Sequence, residues 1–81
     1  MLKAPSWLKF YPNPVTNELI IEIEGNNKAV HFNIINSVGQ VVFKGKLTDK
    51  EIISTSDFAP GVYLIKLETG KGVEFKKVVK E

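Results

Sequence analysis

Ala59-Pro60-Gly61-Val62-Tyr63-Leu64-Ile65-Lys66-Leu67, continuing through Thr69-Gly70-Lys71-Gly72 into Val73-Glu74-Phe75-Lys76-Lys77-Val78-Val79-Lys80-Glu81, is the stretch whose reading decides the fold. Pro60 and Gly61 stand at the central positions of a four-residue turn. Proline presets φ at the first of these and glycine accepts positive φ at the second, which predicts a type II turn. The residues that follow send Tyr63, Ile65 and Leu67 one way and Val62, Leu64 and Lys66 the other, the period of a β-strand. Gly70 and Gly72 punctuate the next turn. In the last strand Val73, Phe75, Lys77 and Val79 alternate with Glu74, Lys76, Val78 and Lys80, and no polar tail follows.

The same alternation runs upstream. Glu18 to Glu24 places Leu19, Ile21 and Ile23 on one face, and Val30, Phe32 and Ile34 repeat the pattern after a turn at Gly25-Asn26-Asn27-Lys28. Asn36-Ser37-Val38-Gly39 has the asparagine and glycine that a type I turn favours at its ends, so a hairpin is expected. Gln40 to Leu47 is its return strand, with Gly45 read as a bulge or twist point. Thr48-Asp49-Lys50 turns the chain into Glu51–Thr55, and Phe58 is placed as a plug at one end of the core. Near the start, Trp7 to Tyr11 is a short strand closed by the rigid corner Pro12-Asn13-Pro14. No segment carries a sustained helical period. About seven short strands with regular turn signals predict an all-β fold, an immunoglobulin-like antiparallel β-sandwich.

Eighty-one residues make one domain, whose core is small and must form by packing alone because there is no cysteine. All eleven basic residues are lysine, which argues against a nucleic-acid partner, since arginine makes the bidentate contacts to bases and phosphates. The longest apolar run, Val62 to Ile65, is far shorter than the roughly 18 residues of a membrane span, so no membrane insertion is expected. Met1 to Trp7 has neither the apolar stretch nor the cleavage site of a secretory signal peptide. If the domain is exported, the first signal is expected upstream, with Met1 the start of a fragment of a longer chain.

Catalysis is poorly supplied. His31 is the sole histidine, and a thiol nucleophile is excluded, so no catalytic residue is assigned and the chain is read as not an enzyme. A zinc site cannot be assembled, and Glu22 with Glu24 lacks the convergent oxygens calcium needs, so neither a metal nor a cofactor is expected. Trp7, Phe10 and Tyr11 form the one sequence-local aromatic group. They could line a carbohydrate platform, but cover for one end of the core is the favoured reading. Lys76, Lys77 and Lys80 have two readings of nearly equal weight: guards of a sheet edge, or a surface read by a receptor through strand addition.

Tyr11-Pro12-Asn13-Pro14, followed after four residues by Leu19-x-Ile21-x-Ile23, resembles the opening of the type IX secretion system C-terminal sorting domains, also called Por secretion tails. Phe32-x-Ile34 with Asn36-x-x-Gly39-Gln40-Val41-Val42 resembles the family's central hairpin. Ile53-x-Thr55 and Phe58-Ala59-Pro60-Gly61-Val62-Tyr63-Leu64 resemble its Leu-Ala-x-Gly-x-Tyr strand, with Phe58 where leucine is usual, and Phe75 to Lys80 resembles its closing lysine-valine strand. The resemblance divides the chain into residues 1–9, a cleavage-proximal linker with the start of the first strand, and a sorting domain over 10–81. It implies the last module of a larger exported precursor, carried through the outer membrane from the periplasm to the cell surface or beyond. The implied partners are the type IX translocon, a sortase-like cysteine protease and the N-terminal cargo. Pro12, Asn13, Pro14, Gly39, Gly61 and Tyr63 would hold the shape, and Lys76, Lys77, Val78 and Lys80 would present the recognised surface. The open edges of a sandwich also allow an edge-strand homodimer. The alternative is an immunoglobulin-like carbohydrate-binding or adhesion module.

Overall fold

The computed structural model describes residues 8–23, 29–69 and 72–81. They hold strands β1 (Leu8–Tyr11), β2 (Glu18–Ile23), β3 (Val30–Ile35), β4 (Val41–Leu47), β5 (Lys50–Ser54), β6 (Gly61–Thr69) and β7 (Gly72–Lys80). Two antiparallel sheets result, ordered β1-β2-β5 and β4-β3-β6-β7. The chain changes sheet three times, after β2, β4 and β5, as the expected sandwich requires. Trp7, the turn expected at Gly25-Asn26-Asn27-Lys28, and Gly70 and Lys71 of the turn expected next to β7 fall outside the described residues.

Alternation has the effect it predicts. Leu19, Ile21 and Ile23 of β2, Val30, Phe32 and Ile34 of β3, and Tyr63, Ile65 and Leu67 of β6 all turn inward and are buried. Leu8, Val15, Leu47, Ile53 and Val78 complete one core between the sheets, with Phe10, Phe43 and Phe58 packed against it. Each fully buried aliphatic side chain contributes about 1.5–3 kcal/mol. The loss of any one is therefore a large fraction of what an 81-residue domain can hold.

The hairpin between β3 and β4 forms as expected. Gly39 N–H donates to Asn36 C=O at 3.0 Å, and the Asn36 Oδ1 accepts from Val38 N–H at 3.1 Å and Gln40 N–H at 2.9 Å. Gly39 takes φ +87°, a conformation that a side chain would strain.

Two glycines differ from their sequence reading. The bulge in this hairpin is not at Gly45: Ile34 faces Phe43 while Ile35 faces Val41, which leaves Val42 as the extra residue. Gly45 pairs regularly with Phe32, and its smallness serves packing instead. A Cβ there would lie 2.7 Å from Phe32 Cζ and 3.2 Å from Phe43 Cε1, between two rings stacked 5.9 Å apart. Phe32 is buried within the core cluster. Gly45→Val should therefore lower stability by about 1–3 kcal/mol, read as a shift in urea midpoint at unchanged slope. A midpoint equal to wild type would show that the two rings are free to move apart.

The other is Gly61, whose φ of +151° is not the roughly +80° of a type II turn. Among the described residues no hydrogen bond closes Ala59 to Val62. Gly61 instead opens β6 directly, paired with Lys80, and the corner before it is held by side chains.

Candidate functional site

β7 pairs with β6 without a break from Gly61↔Lys80 to Thr69↔Gly72, and forms an edge of the four-stranded sheet. Its apolar residues do not share a face. Val73, Phe75, Lys77 and Val79 point outward, with Phe75 58% exposed, while Glu74, Lys76, Val78 and Lys80 point toward the opposing sheet. Of that inner set only Val78 is buried; the three charged side chains are half-buried. Lys77 is thus the open cation of the strand, Lys76 and Lys80 are partly accessible, and Val78 belongs to the core. The Lys80 Nζ donates to the Glu81 carbonyl at 3.1 Å.

The Pro12-Asn13-Pro14 corner reaches this strand from the other sheet. Both of its X-Pro bonds are cis. The prolines have no N–H to give, so the bonds are made by their neighbours. Asn13 Oδ1 accepts from Val79 N–H at 3.2 Å. Val15 N–H donates to Val79 C=O at 2.7 Å, and Glu81 N–H donates to Val15 C=O at 2.9 Å, a short parallel bridge. Thr55 anchors the far side of the same segment: its hydroxyl donates to Thr16 C=O at 3.1 Å, and its N–H to Asn17 C=O at 2.9 Å. Val15 and Thr55 are both buried. Neither carries a sequence signal for this role: a lone valine between proline and threonine has no period, and a strand-end threonine looks like any other. The one sequence hint for Thr55 is its place in the Ile53-x-Thr55 pattern.

Tyr63 closes the third corner. Its ring is buried, tilted against Phe58 at 5.4 Å, and its hydroxyl donates to Ala59 C=O at 2.5 Å. Phe58 N–H in turn donates to Thr55 C=O at 3.0 Å, so the Tyr63 corner and the Val15 seam share an anchor.

The residues weighed for chemistry are scattered. His31 is exposed on the outer face, opposite Lys46 and Glu68. Among the described residues no three His, Cys, Asp or Glu side chains group to hold a metal ion. Glu22 accepts from the Tyr11 hydroxyl at 3.0 Å, and Glu24 lies outside the described residues. Phe10 packs against the core while Tyr11 points to solvent from the opposite face of β1, so the two do not make one platform. Among the described residues no helix is long and apolar enough to cross a membrane.

A family model described as the secretion system C-terminal sorting domain matches residues 9–81, which include every strand and corner above except Leu8. This chain belongs to that family. No curated protein matches it. The sorting domain is accordingly a C-terminal signal of type IX secretion, part of a secreted precursor that the type IX system handles and exports. Its family is one of sorting signals and not of catalysts.

Proposed function

We propose that the sorting domain acts as a folded address whose final strand is the part read by the translocon. The observation that carries this reading is the position of Lys77: it stands open on the outer face of an edge strand, between exposed Phe75 and Val79. Lys76 and Lys80 add charge along the inner side of the same edge, and Val78 ties the strand to the core. Pro12, Asn13, Pro14, Gly39, Gly61 and Tyr63 hold the shape that presents it. The cargo precedes the sorting domain in the precursor and crosses the inner membrane on its own signal. A sortase-like cysteine protease then cuts ahead of the matched region, in the segment before Trp7, and leaves the cargo at the cell surface or released. A second copy of the chain is a further partner, through the edge of β7.

The test is a signal-bearing reporter carrying these 81 residues in a host with type IX machinery. The wild-type fusion should reach the medium or surface. Lys76→Glu/Lys77→Glu/Lys80→Glu should keep the circular dichroism of the sandwich and cut export by about tenfold or more, since charges at a contact set encounter and register. A folded triple variant exported like wild type would remove these lysines from the recognised surface.

A further inference from the structure

The edge of β7 is divided in two. In an antiparallel strand the N–H and C=O of one residue point to the same side, and alternate residues point to opposite sides. Both main-chain groups of Val79 face away from β6, where Asn13 and Val15 hold them. The pairing with β6 has no register shift, so Val73, Phe75 and Lys77 face the same way. Nothing among the described residues covers them. The Asn13–Val15 seam therefore ends a short window, Val73 to Lys77, in which three residues offer main-chain donors and acceptors.

The side chains of that window discriminate among strands that could fill it. Glu74 and Lys76 project to the inner face and are half-buried. Neither has an ion-pair partner among the described residues. Inward-pointing charges on an edge disfavour pairing with an unrelated apolar strand. They suit a strand that carries the opposite charges in the opposite order.

We infer that this strand is β7 of a second copy, paired antiparallel about a two-fold axis at Phe75. In that register Val73 meets Lys77 of the second copy, and Phe75 meets its equivalent, so all three free residues exchange hydrogen bonds. Glu74 and Lys76 then fall opposite Lys76 and Glu74 of the second copy, in the closely spaced pairs that lie between the hydrogen-bonded ones. The neighbouring registers fail on charge. Sliding so that Val73 meets Phe75 sets Glu74 against itself, and setting Phe75 against Lys77 opposes the two copies of Lys76. On the outer face the two exposed Phe75 rings pack together at the axis. The contact is isologous, joins two four-stranded sheets into one of eight, and is small, so association is weak and concentration-dependent. It uses the same edge, Lys76 included, that the translocon is proposed to read, and sedimentation of the chain alone reads dimerisation apart from the translocon.

Sedimentation of the 81-residue chain over a concentration series tests it. Wild type should show reversible dimerisation. Glu74→Lys and Lys76→Glu should each weaken it by about tenfold or more, because each turns two attractive cross-strand pairs into two repulsive ones. An equimolar mixture of the two variants should associate again as a heterodimer, which also shows that both are folded. The register has its own readout, since the chain has no cysteine of its own. Phe75→Cys should form a disulfide-linked dimer on oxidation, Val73→Cys alone should not, and Val73→Cys mixed with Lys77→Cys should. A wild type that remains monomeric at millimolar concentration, single variants that associate like wild type, or a mixture that does not recover would each overturn the proposal.

Discussion

Tyr63→Ala is expected to remove a large part of the stability of the sorting domain and to move its unfolding transition well below that of wild type. Tyr63 is buried, its ring leans on Phe58, and its hydroxyl holds the Ala59 carbonyl at the corner where Gly61 opens β6. Removing a core aromatic costs about 3–5 kcal/mol. A domain of 81 residues has a total stability of only roughly 4–12 kcal/mol. Tyr63→Phe separates the two contributions: it keeps the ring and loses the single hydrogen bond, at about 1 kcal/mol. Urea unfolding followed by circular dichroism should rank wild type, Tyr63→Phe and Tyr63→Ala in that order. Export of a fused reporter should fall in the same order, because an unfolded tail presents no shaped surface. A Tyr63→Ala variant that unfolds like wild type yet is not exported would move Tyr63 from the core to the recognition surface.

Ending the chain after Phe75 should have the second large effect, complete loss of export with the cargo still made. The cut removes Val78 from the core, leaves Tyr63 without its cross-strand neighbour, and takes away Val79 and Glu81, the partners of the Asn13–Val15 seam. Packing and seam fail together, so the loss should exceed that of any lysine substitution. A reporter fused to residues 1–75 and still secreted would show that the address lies elsewhere in the sandwich. The lysine triple variant distinguishes loss of folding from loss of recognition, since those side chains contribute charge and little packing.

Part of the candidate site is legible in the sequence. Pro12, Asn13, Pro14, Gly39, Gly61 and Tyr63 stood out because prolines, positive-φ glycines and a tyrosine at a turn have local signatures. What they bond to did not. Asn13 and Val79 lie 66 positions apart, and no local pattern couples an asparagine side chain to so distant an amide. Gly45 was visible as a glycine in a strand, yet bulge and ring contact give the same sequence signal, and only the placement of Phe32 and Phe43 separates them.

For β2, β3 and β6, sequence alone determined which side chains face the core, because each has bulky apolar residues on one face and polar or smaller ones on most of the other, and a period of two leaves one choice. In β7 that argument stops. Val73, Phe75 and Val79 lie on one face and Val78 on the other, and by apolar count Val78 would be outside. Tertiary structure decided the reverse: Val78 meets Tyr63 and Val15 in the core, while Val73, Phe75 and Val79 remain exposed. The physical reason is the position of β7 at the sheet edge. It is tied to the core chiefly at its C-terminal end, where the Asn13–Val15 seam crosses from the opposing sheet, so burial there follows the register with β6 rather than the hydrophobicity of the strand.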